Sequence, residues 1–259
     1  MKHYPLLALL NAEHYKTKNN IAVLLFLLSP FVVTLLAFGM SIGNSSEFPV
    51  NPWIALISKK LLILYLFYPF LASILIYSLC DLEYRNSNFR RLFTLPYSVH
   101  AIFTSKILFL IEIVFFSTLI AYLSFILSAF ILSYLSPESS FQDYDMRLAC
   151  FYLHVRLFIG LLAVSSIQYW LSLIFRNFVI PIGFSGFMVI FSLFSFLSMN
   201  TMNVEYRYFN PFGAILTSLN DFISYQSVSL TKYVYVCLVY IFVFLLINLF
   251  TFKWRKYNN

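Results

Sequence analysis

Six stretches of the chain, 21–40, 61–80, 107–134, 155–175, 178–199 and 233–252, are nearly unbroken runs of apolar residues, with polar residues gathered in the segments between them. A helix needs about 20 apolar residues to cross about 30 Å of hydrocarbon, so each run matches a transmembrane helix. The runs mix Leu and Phe with β-branched residues, but an open strand edge is too costly in lipid, and helices are predicted throughout. The predicted fold class is all-α: a polytopic membrane protein with six transmembrane helices, forming a single domain over residues 1–259. Pro30 and Pro69 stand inside the first two runs, where they are expected to kink the helices rather than end them. Between their ends the runs hold two charges, Glu112 and Arg156. Ala37 and Gly39 precede Ser41 like a signal-peptidase motif. The apolar stretch there exceeds the 7–15 residues of a signal peptide, however, and about 20 polar and amphipathic residues precede it, so the first run is expected to be retained.

Composition sharpens this picture. The 259 residues are 61% hydrophobic and 10% charged, against about a quarter charged in soluble domains, which excludes a soluble globular enzyme. The net charge of +7 is scattered over the ends of the apolar runs. Membrane lipids are therefore the expected partner of these charges, and nucleic acid is not. Cys80, Cys150 and Cys237 are odd in number and lack C-x-x-C spacing, and His3, His14, His100 and His154 form no ligand pattern. Neither a disulfide framework nor a metal site is expected.

Six spans put both termini on one side of the membrane. Six of the 17 Lys and Arg fall to the opposite side: Lys59, Lys60, Arg147, Arg156, Arg207 and Lys232. The remaining eleven share the side of the termini, which the positive-inside rule makes cytoplasmic.

Four segments are not simple spans. Residues 4–16 open with Pro5 and become polar at Glu13 and Lys16, too short to cross; an interfacial elbow helix bracing the bundle is expected. The longest cytoplasmic connection, 81–106, contains a short helix capped by Ser87 and stopped by Pro96. In it Phe89, Leu92 and Phe93 share one face while Arg90 and Arg91 project elsewhere, and Ser98 is placed to cap the next helix. Such a basic amphipathic helix suits either phospholipid headgroups or a soluble partner. Glu112 lies about two turns into the third span, and interfacial water or an arginine of the preceding helix is its expected partner. Residues 210–220, within the external stretch 203–232, read equally as a re-entrant or interfacial helix and as a partly buried loop.

No G-x-x-x-x-G-K-[ST] occurs, and the six glycines, Gly39, Gly43, Gly160, Gly183, Gly186 and Gly213, cannot assemble one. The chain is therefore not expected to be an enzyme or to bind ATP, and any driving energy comes from a partner or an ion gradient. Intramembrane enzyme chemistry would need paired Glu, His or Asp deep in the spans, and a secondary transporter would favour midplane charges and internal repeats; neither pattern is evident.

Two segments, Ala12-Glu13-His14-Tyr15-Lys16 and Glu83-Tyr84-Arg85 through Phe89-Arg-Arg-Leu-Phe-Thr-Leu-Pro96-Tyr-Ser98 to Lys106, resemble those of ABC-2 type transporter permeases. Within that family the chain is similar to the permeases of lantibiotic-immunity and bacitracin-type peptide exporters. Family members carry E-x-x-K before the first span, then an acidic start, a basic helix, Leu-Pro-x-Ser and a Lys before the third span. Here Asn86 and Ser87 replace the usual Gly, and the basic residue after the Ser is displaced to His100. The resemblance implies a bacterial inner-membrane permease, paired with a second copy or a paralogue. It further implies that a coupling helix comprising Glu83, Arg85, Phe89, Arg90, Arg91, Leu92, Phe93 and Pro96 docks on separate ABC ATPase subunits, which use ATP and Mg. The implied activity is export of an amphipathic or antimicrobial peptide in self-immunity. A gradient-driven secondary transporter and a non-transporting immunity or scaffold protein remain the alternatives.

Overall fold

The computed structural model describes residues 5–42, 51–84, 88–135, 141, 144–197, 209–225 and 232–258. Nine α-helices are found among them: α1 Pro5–Thr17, α2 Ile21–Ile42, α3 Pro52–Tyr84, α4 Asn88–Phe93, α5 Val99–Leu135, α6 Arg147–Ile174, α7 Val179–Leu197, α8 Ala214–Tyr225 and α9 Lys232–Asn258. No strand occurs in the described residues, and α2, α3, α5, α6 and α9 are each long and apolar enough to cross a membrane. The sixth apolar helix, α7, is shorter, with 19 residues. This is the all-α polytopic architecture that the hydrophobic pattern predicts.

Local chemistry starts several helices. Pro5 opens α1 and Pro52 opens α3, where the missing N–H costs nothing. Asn20, Asn51 and Asn177 each accept a backbone N–H two residues on, at 2.9–3.0 Å, at the starts of α2, α3 and α7. Ser98 Oγ accepts from Ala101 N at 3.1 Å and caps α5 as expected. At the start of α6, hydrogen bonds from the Arg147 guanidinium hold the Asp145 carboxyl down at about 2. Helix α2 runs through Pro30 and α3 through Pro69. The ring of Pro30 leaves the Phe26 carbonyl without its usual N–H donor, and two hydroxyls replace it: Ser29 Oγ at 2.9 Å and Ser117 Oγ of α5 at 3.0 Å.

Helix α6 is the centre of the bundle, with 56% of its most apolar window buried, whereas α9 on the periphery has 17%. Helix α6 packs on α3, α5, α8 and α9, and α2 packs between α3 and α5. Within residues 210–220, Pro211–Gly213 form a single 3-10 turn and Ala214 begins α8, so the helical reading holds over the loop, and Leu216, Leu219 and Phe222 of α8 are buried against the bundle. Asn210 anchors that segment, donating to Ser192 Oγ at 2.6 Å and Met188 O at 3.2 Å.

Helices extend beyond the predicted spans, and this corrects the assignment of charge. Helix α3 begins at Pro52 rather than 61, so Lys60 lies inside the helix and is fully buried, and Arg156 of α6 is 2% exposed. Lys60 therefore joins Glu112 and Arg156 as a charge within the helices. The helix need not end there because Lys60 Nζ donates to the Ala121 carbonyl and to His154 Nε2.

Candidate functional site

The residues that carry the resemblance lie far apart in sequence and meet at one end of the bundle. The Glu13–Lys16 spacing places both side chains on one face of α1. Opposite them stand Glu83, next to last in α3, and Lys106, two turns into α5. Lys106 Nζ lies 2.6 Å from Glu13 Oε1 and 2.6 Å from Glu83 Oε1. Lys16 Nζ pairs with Glu13 Oε2 at 2.8 Å and also with Glu83 Oε1. Two carboxylates and two ammonium groups thus close a four-membered alternation of charge with no formal surplus. Glu13, Glu83 and Lys106 are buried, so these charge-assisted hydrogen bonds operate largely out of water. A narrow crevice lies against the cluster, walled on its apolar side by Cys80, Tyr169 and Phe252.

Neighbouring contacts fix the same end. Tyr84 OH donates to Ser172 O at 2.8 Å, and the Arg255 guanidinium lies 5.1 Å from the Tyr84 ring centre while donating to Ile174 O at 3.1 Å. The ends of α3, α6 and α9 are thereby tied together. Among the described residues Glu112 meets a histidine: His14 Nε2 of α1 lies 3.0 Å from Glu112 Oε2, with the His14 ring edge-on to Phe109. Both partners are substantially exposed, at 46% and 32% of their side chains. The N-terminal helix is consequently attached to α5 by one buried ion pair and one exposed polar contact.

The six-residue helix α4 bridges α3 and α5 beside this cluster. Leu92 and Phe93 are half-buried against the core, and the Phe93 ring centre is 5.5 Å from that of Phe252 in an edge-on contact. Arg91 is exposed, and the helix ends where Thr94 N and Thr94 Oγ1 both donate to Arg91 O. Beyond it Leu95, Pro96 and Tyr97 are exposed, Leu95 by 42% and Tyr97 by 37%. The backbones of Phe89 and Arg90 belong to α4, while Arg85 and the expected cap Ser87 fall outside the described residues. Among the described residues of this segment, the surface available to another molecule includes Arg91 and residues 94–97. Glu83 is committed to the charge cluster, and Phe93 faces its own chain.

Three participants in these contacts escape sequence reasoning: His14, Lys60 and His154. For Lys60 a signal exists, because the apolar pattern resumes upstream at Trp53-Ile-Ala-Leu-Ile57 behind a helix-opening proline. The histidines carry none, since their partners lie 94 and 98 positions away.

A model of the ABC-2 family transporter proteins matches residues 9–192, a span that includes the charge cluster, α4 and Glu112. Searches of curated proteins and of solved structures return no match. With several membrane-crossing helices and a family match over well more than half its length, the chain belongs to the ABC-2 family of transporter proteins, as a transmembrane permease component and not a P-loop ATPase.

Proposed function

We propose that this permease exports an amphipathic or antimicrobial peptide in self-immunity, working as one of a pair with ABC ATPase subunits that bind ATP and Mg. The observation that carries the proposal is the exposed surface of Arg91 and residues 94–97, held between two helices whose residues Glu83 and Lys106 are both pinned to α1. In this scheme α4 is the coupling helix. Arg91 offers charge and Leu95, Pro96 and Tyr97 offer apolar contact to the ATPase, while Phe93 and Leu92 seat the helix on the bundle. Glu83 transmits displacement of α4 to α1 and α5 through the buried ions, and Arg85, Phe89 and Arg90 complete the docking segment.

Orientation supports the same assignment. With the buried Lys60 and Arg156 left out on one side and the buried Lys106 and Arg255 on the other, Lys59, Arg147, Arg207 and Lys232 count against nine Lys and Arg on the side of the termini. We place both termini, and α4 with them, on the cytoplasmic face of a bacterial inner membrane. The extensive apolar faces of α2, α7 and α9 are left for lipid and for the second permease.

The test is co-purification with an ATPase encoded in the same gene neighbourhood, followed by nucleotide turnover of the complex. Arg91→Glu with Leu95→Asp, and separately Phe93→Asp, are expected to abolish association while membrane insertion persists. Full association and full turnover in both variants would exclude docking through α4 and favour the gradient-driven or scaffold alternatives. A peptide-sensitivity assay on cells expressing the complex then reports the substrate: unchanged sensitivity to amphipathic peptides rejects the immunity role.

A further inference from the structure

The C-terminal end of the central helix α6 is held by side chains of other helices. The last four carbonyls of an α-helix have no backbone donor within it. In α6, Phe175 N reaches Leu171 O at 2.8 Å, and the next three carbonyls meet donors that are distant in sequence. Tyr84 OH lies 2.8 Å from Ser172 O and 3.1 Å from Leu173 O, sharing one proton between them. Arg255 Nη2 of α9 donates to Ile174 O at 3.1 Å. The starts of α2, α3, α5 and α7, by contrast, are capped by residues two or three positions away.

The Tyr84 ring gathers two cations at the same place. The guanidinium carbons of Arg176 and Arg255 lie 5.6 Å and 5.1 Å from its centre, so both charges stand at the negative end of the α6 dipole. Tyr84 is the last residue of α3, and three residues separate it from α4. On α9, Phe252 lies one turn before Arg255 and carries the Phe93 ring of α4. The neighbouring residues Glu83 and Tyr84 thus lead to different helices. Glu83 meets α1 and α5 through Lys16 and Lys106, whereas Tyr84 meets α6 and α9.

We propose that Tyr84 is a positioning residue that carries displacement of α4 into the end of α6, in parallel with the path through Glu83 to α1 and α5. The inference rests on the reading of α4 as the ATPase-docking element and is independent of the identity of the substrate. Hydrogen bonds and stacked guanidinium groups resist pulling as well as pushing, whereas an apolar contact resists compression alone. The Tyr84 link therefore transmits both strokes of a transport cycle. Because α6 packs on α3, α5, α8 and α9, a movement delivered to its end reaches most of the bundle.

The experiment uses the full chain in liposomes with the ATPase that co-purifies with it. A bimane fluorophore is attached at one of two exposed positions, Tyr15→Cys on α1 or Ile174→Cys at the end of α6, the native cysteines being buried. A non-hydrolysable ATP analogue is expected to shift the emission of both reporters. Tyr84→Leu should reduce the shift at Ile174→Cys at least fivefold and leave that at Tyr15→Cys within twofold of the wild type, with ATPase association retained. Tyr84→Phe keeps the ring but not the hydroxyl, and its shift at Ile174→Cys should fall between the two. If Tyr84→Leu does not fold, a loss of at least twofold at Ile174→Cys in Tyr84→Phe makes the same test. A shift at Ile174→Cys that survives these changes overturns the role of Tyr84, as do equal losses at both reporters or loss of association. No shift at either reporter in the wild-type complex overturns the docking reading itself, and the role of Tyr84 falls with it.

Discussion

Glu13 Oε1 and Lys106 Nζ lie 2.6 Å apart across 93 positions of sequence, joining the N-terminal helix to the start of the third long span. Because Lys106 also holds Glu83 at 2.6 Å, its removal leaves two mostly buried carboxylates with Lys16 alone. Lys106→Met is expected to destabilise the protein by about 3–5 kcal/mol, the cost of breaking a buried ion pair from one side. Thermal unfolding in detergent measures it. A loss well below 1 kcal/mol would show that water reaches the cluster and relieves the carboxylates.

The two polar attachments of α1 to α5 differ in depth, and so should their energies. Glu112→Ala removes the exposed contact to His14 and is expected to cost less than about 1 kcal/mol. Glu13→Ala, at the buried cluster, is expected to cost several times more. Unfolding midpoints of the two variants rank them, and a larger effect at Glu112 refutes the ordering.

Phe93 and Phe252 seat α4 on the bundle. Phe252 is fully buried, so Phe252→Ala is expected to cost about 3–5 kcal/mol, with less lost at the half-buried Phe93. Their edge-on geometry adds a coupling of about 0.5–1.5 kcal/mol. A double-mutant cycle reads that coupling directly. Additive losses would mean that the rings do not support each other.

Ser117 substitutes for a backbone donor that Pro30 cannot supply. Ser117→Ala should destabilise by about 1 kcal/mol in the wild-type chain. In a Pro30→Ala background, where a backbone N–H can return to the Phe26 carbonyl, the same change is expected to cost less. Equal costs in the two backgrounds would separate the hydroxyl from the proline.

Sidedness is accessible to thiol labelling because Cys80, Cys150 and Cys237 are buried and free. In intact cells a membrane-impermeant maleimide is expected to label Asp145→Cys and to leave Arg91→Cys unlabelled until the membrane is opened. The reverse pattern inverts the proposed topology.

The location of the apolar runs was legible in the sequence because hydrocarbon imposes a length on every span whatever its neighbours. The cap at Ser98 and the short helix stopped before Pro96 were legible too, since each depends on residues a few positions apart. The inward turn of Phe93 was not. Periodicity places Phe89, Leu92 and Phe93 on one face, but which body covers that face depends on where Phe252 of the last helix comes to rest. Lys60 and Glu112 also show this limit: their partners, His154 and His14, belong to other helices.

The amino-acid sequence alone thus determined that the chain is a helical membrane protein, that it lacks a nucleotide-binding loop, and which short segments resemble the ABC-2 permeases. These properties depend on composition and local spacing. Only tertiary structure decided that Glu13, Lys16, Glu83 and Lys106 neutralise one another at one end of the bundle, and that a lysine could be buried at position 60. A charge inside a membrane protein is tolerable only beside partners brought by other helices, and packing alone sets those long-range distances.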